Sequence, residues 1–156
     1  WRLCARTHTA TRDVETVFGE LFSTLVREST DGDLVLTTLA NRCAAHPLVA
    51  ARTALAVLSV KDPLTNRMAV LNYLTQSPER TDTVASLLAK VLVKRPLRRR
   101  ALHALQAALE EKHPKGLPQT LGKALATHLD PDEREALARD LPQTTGVTAL
   151  LAALRT

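Results

Sequence analysis

The positions of the prolines constrain the fold of this chain more than any other feature of its sequence. All eight lie between segments of apolar periodicity and none lies inside one: they are Pro47, Pro63, Pro78, Pro96, Pro114, Pro118, Pro131 and Pro142. Proline lacks an N–H group and fixes φ, so it suits the first turn of a helix and ends the helix before it. The prolines therefore predict a series of helices, each of about 10 to 20 residues.

The apolar residues between the prolines have the spacing of amphipathic helices. Val14, Val17, Phe18 and Leu21 begin the first such pattern, with the i, i+3, i+4, i+7 spacing of one helix face. No segment alternates apolar and polar residues with the period of two that is typical of a strand. We expect an all-α fold of about seven to nine short antiparallel helices.

A loop separates the first predicted helix from the second. It contains Asp31 and Asp33, and we expect one of these carboxylates to cap the second helix. The core must be built mostly from leucine, alanine and valine, because aromatic residues make up only 3% of the chain. Such small and aliphatic side chains suit helices that approach each other closely.

The length of the chain, 156 residues, is that of one ordinary domain. It begins with Trp1 instead of methionine, and we expect the domain to be excised from a larger protein. The longest linker is predicted at 113–118, which contains two prolines and a glycine and marks a weak internal boundary.

Membrane insertion and a disulfide framework are not expected. The longest strongly apolar stretch, 53–60, is far shorter than the roughly 20 residues of a membrane-spanning helix. Cys4 and Cys43 are the only cysteines, and two cysteines do not make a disulfide scaffold. We therefore expect a cytoplasmic protein.

Three segments that begin with Pro-Leu share a pattern. They start at Pro47, Pro63 and Pro96, and each continues with an arginine four or five residues later and then with alanine and leucine. The three prolines are separated by 16 and 33 residues. Stacked helical hairpins produce repeats of these lengths.

The repeated pattern resembles the helical repeats of the HEAT and armadillo families, over roughly residues 32–112. The resemblance implies an α-solenoid of stacked helical hairpins, whose extended surface is available to a partner. Two of the copies begin consecutive helices, at Pro47 and Pro63, so we expect an irregular solenoid. A compact helical bundle is the alternative.

The strongest candidate site is a cluster of cations with no acidic residue between Asp82 and Glu110. Its members are Lys90, Lys94, Arg95, Arg98, Arg99 and Arg100. Lys94 and Arg95 suit the C-terminal end of the preceding helix, where a cation is favoured by the helix dipole. The three later arginines lie at the wrong end of their own helix for that benefit. An acidic protein segment is the expected partner; a nucleic-acid backbone and a plain solvated surface are the alternatives.

Other polar patterns indicate neither a metal site nor a catalytic site. Cys4, His8, Cys43 and His46 have the residue types of a zinc site but not the spacing, and Cys43 has the position of a core residue. The acidic residues at 130–133 suit the start of a helix. The chain lacks a phosphate-binding loop, a dinucleotide-binding glycine pattern and a nucleophile elbow, and we expect no cofactor.

We therefore expect a non-catalytic protein-interaction or scaffolding module of a larger protein. Its partner would be an acidic protein segment or another domain of the parent protein. The alternatives are a nucleic-acid-binding helical-repeat domain and an accessory helical domain of an enzyme.

Overall fold

All regular secondary structure in the described part of the chain is α-helical, as the sequence predicted. The computed structural model describes residues 22–24, 32–44, 54–58, 64–93, 95–110 and 112–156. Residues 22–24 and 54–58 are helical. The remaining helices are α1 (Gly32–Ala44), α2 (Leu64–Thr75), α3 (Pro78–Leu92), α4 (Arg95–Glu110), α5 (Leu117–His128), α6 (Pro131–Asp140) and α7 (Thr145–Arg155).

Prolines lie in the first turn of four of these helices. Pro78 and Pro131 are the first residues of α3 and α6, and Pro96 and Pro118 are the second residues of α4 and α5. The predicted role of proline is confirmed at these four helices. Helix α7 begins three residues after Pro142, with Thr144 as its N-cap residue. The first two prolines, at 47 and 63, lie outside the described residues.

The connection between α4 and α5 ends two residues before the end of the predicted linker at 113–118. Helix α5 begins at Leu117, and the N-cap residue Gly116 has a φ of 86°, in the left-handed region that glycine adopts without steric cost. Leu117 and Pro118 are buried. Helices on the two sides of this turn share their packing, because α5 lies against α3 and α7 lies against α4.

Helix α3 is at the centre of the described packing. It contacts α1, α2, α4 and α5, and its buried residues cover more than one face. They are Thr81, Val84, Ala85, Leu87, Leu88, Ala89, Val91 and Leu92. Helix α5 in turn contacts α2, α3 and α7, and α7 contacts α4, α5 and α6. One continuous core therefore extends from α1 to α7.

Two glycines allow helix backbones to approach closely. A Cβ atom on Gly122 of α5 would lie 2.7 Å from the Cβ of Ala153 on α7. A Cβ atom on Gly146 of α7 would lie 2.1 Å from the backbone oxygen of Leu109 on α4. Both distances are shorter than van der Waals contact, so these two helix interfaces need glycine.

The acidic residues at the start of α6 form a capping box. The Asp130 side chain accepts a hydrogen bond of 2.8 Å from the backbone N–H of Glu133. The Glu133 side chain accepts one of 3.0 Å from the backbone N–H of Asp130. Two N–H groups that the helix leaves without a partner are thereby satisfied. The assignment of these carboxylates to a helix start is confirmed.

Candidate functional site

The predicted cationic cluster lies where α3 ends and α4 begins. We call Lys90, Arg98, Arg99 and Arg100 the basic corner, since these are its members whose side chains the structure describes. Lys90 lies in the last turn of α3 and is exposed, as are Arg99 and Arg100 near the start of α4. Lys94 and the side chain of Arg95 lie outside the described part of the chain.

All three guanidinium nitrogens of Arg98 contact other groups of the protein. Its Nη1 donates a hydrogen bond of 3.0 Å to the backbone oxygen of Leu92. Its Nε and Nη2 lie 2.8 and 2.7 Å from Oδ2 of Asp140, the last residue of α6. We call Leu92, Arg98 and Asp140 the Arg98 cluster. It joins the end of α3, the start of α4 and the end of α6.

The Arg98 cluster explains why an arginine lies at the unfavourable end of its own helix. Its charge interacts with the C-terminal end of α3, where the carbonyl of Leu92 has no partner within the helix. The sequence suggested Lys94 and Arg95 for that position. Periodicity alone could not show that the chain brings Arg98 back onto α3, nor that Asp140, 42 residues away, completes the arrangement.

A second arginine is held in a similar way at the corner between α2 and α3. Arg80 lies 2.5 Å from Asp33 through Nε and 2.9 Å through Nη2, and its Nη1 donates a hydrogen bond of 3.1 Å to the backbone oxygen of Tyr73. The guanidinium also lies 3.8 Å from the centre of the Tyr73 ring, a cation–π contact. We call Asp33, Tyr73 and Arg80 the Arg80 cluster. It joins α1, α2 and α3.

Asp33 therefore has a role other than capping, and Asp31, the other capping candidate, lies outside the described residues. It lies within the first turn of α1, and Oδ1 also accepts a hydrogen bond of 2.5 Å from the Tyr73 hydroxyl. The hydrogen bonds from Arg80 and Tyr73 lower the pKa of Asp33 below its ordinary value of 3.8. Burial and the bond to Asp33 raise the pKa of the Tyr73 hydroxyl, which stays protonated and donates at neutral pH.

The two arginine clusters share one design. Arg80 and Arg98 are each the second residue after a proline in the first turn of a helix. Each donates through Nη1 to a backbone oxygen of the preceding helix, and each pairs with an aspartate from a helix elsewhere in the chain. The pattern Pro-x-Arg therefore occurs at two successive helix corners. It places the arginine two residues after the proline, whereas the Pro-Leu repeat places an arginine four or five residues after it.

We expect the Arg80 cluster to make stability depend on acid pH. A carboxyl group with a lowered pKa in the folded state stabilises the fold above its unfolded pKa of about 4, and this contribution is lost as the pH falls through the folded pKa. Asp33→Asn should therefore lower the urea midpoint at neutral pH, and the gap to the wild type should narrow in acid. Urea unfolding followed by circular dichroism at about pH 7, 4 and 3 measures this gap.

The matched control is Glu135→Gln on α6, an exposed carboxylate with no hydrogen bond or ion pair to the described residues. It removes one negative charge outside the Arg80 cluster. An equal gap between Asp33→Asn and the wild type at all three pH values would contradict the prediction.

The remaining cations of the basic corner are open to solvent. Neither Lys90 nor Arg99 has a hydrogen bond or ion pair to any residue that the structure describes. The first turn of α4 contains no acidic residue. His103, one turn after Arg99 on the same helix, is exposed as well. This surface can bind an anionic group without first breaking an internal ion pair of Lys90 or Arg99.

The described residues contain neither a metal-binding cluster nor a membrane-spanning helix. Among the described residues, no group of three or more His, Cys, Asp or Glu side chains is placed to hold a metal ion. Cys4, His8, His46 and the side chain of Cys43 lie outside them. No described helix has both the length and the apolar character needed to cross a bilayer.

Comparison with known proteins assigns neither a family nor a function to this chain. No protein-family model, no curated protein and no solved structure matches this chain. Function is therefore inferred from the described side chains and their contacts.

Proposed function

We propose that this chain is a non-catalytic interaction or scaffolding module of a larger cytoplasmic protein and that it binds an acidic protein segment at the basic corner. The observation that carries the proposal is the exposure of Arg99 and Arg100 close to the N-terminal end of α4. The helix dipole disfavours cations at that end. A local arrangement that opposes stability is typical of a functional surface.

The carboxylate that contacts the basic corner neutralises Arg98 but not Lys90 or Arg99. Asp140 pairs with Arg98, and no ion pair joins it to Lys90 or Arg99 within the described residues. The sequence from 83 to 109 supplies no further acidic residue. An acidic segment is the complementary partner, and attraction between opposite charges would speed its association.

A protein partner fits the basic corner better than a single-stranded nucleic acid. Proteins that bind single strands combine cations with exposed aromatic side chains on which the bases stack. The aromatic residues of the described ranges, Phe22 and Tyr73, are both buried and contact each other edge to face. Within the described residues, the corner therefore offers charge without an exposed Phe, Tyr or Trp side chain for stacking.

The helix packing supports an irregular solenoid as the finer architecture. Helices α3, α5 and α7 contact one another in succession, as alternate helices do in one layer of stacked hairpins. Two successive corners carry the Pro-x-Arg arrangement. Helix α4 also contacts α7, and α2 contacts α5, so the stacking departs from a regular two-layer repeat.

The proposal predicts that charge reversal at the basic corner weakens the binding of an acidic probe. We expect a fluorescein-labelled oligoglutamate peptide to bind the full chain at low salt and to dissociate as the ionic strength rises. The double variant Lys90→Glu/Arg99→Glu should weaken this binding by about tenfold or more, because each new carboxylate repels the probe. Fluorescence anisotropy measures the affinity.

The matched control is Lys123→Glu/Arg155→Glu, which reverses the same two residue types at exposed positions on α5 and α7. It should leave most of the binding intact. The proposal fails if both double variants weaken binding equally or if the wild type does not bind the peptide. If a single-stranded oligonucleotide binds more tightly and with a steeper dependence on salt, the partner is a nucleic acid and not an acidic protein segment.

A further inference from the structure

We infer that Arg98 is a positioning residue of the basic corner and not one of the residues that contact the acidic partner. This inference rests on the proposed function. It divides the predicted site into two parts. Lys90 and Arg99 present charge to the partner, whereas Arg98 fixes the backbone from which they project.

The first argument is the number of donors that Arg98 has left. A guanidinium carries five N–H groups on three nitrogens, and all three nitrogens of Arg98 already lie within hydrogen-bond distance of Leu92 or Asp140. Its side chain is only 24% exposed. Two N–H groups remain, so a partner carboxylate could bind the paired Nε and Nη2 groups only by displacing Asp140.

The second argument is the equivalence of Arg98 with Arg80. Arg80 has the same place after a proline, the same bond to the preceding helix and the same type of carboxylate partner. It lies outside the cationic cluster, so its arrangement is explained by the joining of helices alone. The same explanation applies to Arg98, since both arginines bond a backbone oxygen of the preceding helix and pair with an aspartate from another helix.

The third argument is what the Arg98 cluster does to its neighbours. Arg99 and Arg100 follow Arg98 directly on α4, and Lys90 lies two residues before Leu92 on α3. A guanidinium that fixes α3 to α4 therefore fixes the cations on both sides of the corner. Holding binding groups in place before the partner arrives raises affinity, because less conformational entropy is lost on binding.

Removal of the Asp140 charge distinguishes a positioning role from a contact role by the sign of its effect. If Arg98 positions the corner, Asp140→Asn loosens it and should weaken oligoglutamate binding about two- to fivefold, although the variant is more positive. If Arg98 were a contact held back by Asp140, the same variant would free it and strengthen binding. Asp132→Asn, at the other end of α6, is the control for the change of net charge.

The charge-conserving variants Arg98→Lys and Arg99→Lys complete the test. Lysine keeps the charge but lacks the planar guanidinium that donates to both Leu92 and Asp140. Arg98→Lys should therefore weaken binding of the peptide, whereas Arg99→Lys should not. Because Arg98→Lys keeps the number of ionic contacts, the dependence of affinity on salt should stay unchanged. Thermal unfolding of each variant confirms that it is folded.

The inference is overturned if Asp140→Asn strengthens binding beyond Asp132→Asn, or if Arg98→Lys and Arg99→Lys bind as the wild type does. These results leave the proposed function standing, because the wild type still binds the peptide. Absence of any wild-type binding overturns the proposed function and this inference with it.

Discussion

Gly146→Ala is expected to lower the free energy of unfolding by about 3 kcal/mol, the upper part of the range for overpacked sites. The new Cβ atom would lie 2.1 Å from the backbone oxygen of Leu109 and 2.8 Å from its carbonyl carbon. Backbone atoms cannot rotate away as a flexible side chain can, so α4 and α7 must separate. Alanine is better than glycine inside a helix by about 1 kcal/mol, and the clash outweighs that gain.

Urea unfolding followed by circular dichroism measures this effect, with Thr145→Ala as the control. Thr145 is the exposed neighbour of Gly146 in the first turn of α7, and its replacement should change stability by about 0.5 kcal/mol or less. A variant Gly146→Ala as stable as the wild type would show that α4 and α7 do not approach each other through their backbones.

Leu88→Ala is expected to have an effect of similar size for the opposite reason, the loss of packed atoms. Leu88 is fully buried in α3, the helix that contacts α1, α2, α4 and α5. Helices on several sides limit how far the cavity can collapse, so we expect a loss of about 3 to 4 kcal/mol, within the range for buried leucines. This is a large share of the roughly 5 to 15 kcal/mol that stabilises an ordinary domain.

The control for Leu88→Ala is the same substitution at Leu34 on α1, which is 67% exposed. It removes the same atoms from a position in contact with water and should change the urea midpoint little. Equal losses at the two positions would contradict the central place of α3 in the core.

The starts of the helices could be predicted from the sequence because the constraint is local. A proline restricts its own backbone and that of the residue before it, so Pro78 and Pro131 could be placed at helix starts without knowledge of tertiary contacts. Close packing of small aliphatic side chains was predictable from composition for a similar reason. Neither inference requires knowing which helices meet.

The contacts that join the helices could not be predicted in this way. Asp33 and Arg80 are 47 residues apart, and nothing in the periodicity around either residue indicates the other. From the sequence alone, Gly146 is only a weak helix former. Its close approach to Leu109 arises only when α4 and α7 pack together. Both features depend on the stacking of helices, which is decided by the whole core.

The sequence indicated where the cationic cluster lies along the chain but not which of its side chains are held by other residues. A count of charges located the cluster, because six cations without an intervening acid are visible in the sequence. The different environments of Arg98 and Arg99 were not visible. Adjacent residues of a helix point about 100° apart, so one can face a neighbouring helix while the next faces solvent.

The Arg80 cluster also bears on the order in which the chain assembles. Its guanidinium closes a loop of 7 residues to Tyr73 and one of 47 residues to Asp33. Loop-closure entropy grows with the logarithm of length, so the longer loop is less favourable by about 1.7 kcal/mol in the unfolded chain. The shorter loop is thus the more accessible one to a refolding chain. Entropy of closure therefore favours a sequence in which the corner between α2 and α3 forms first and α1 docks onto it afterwards.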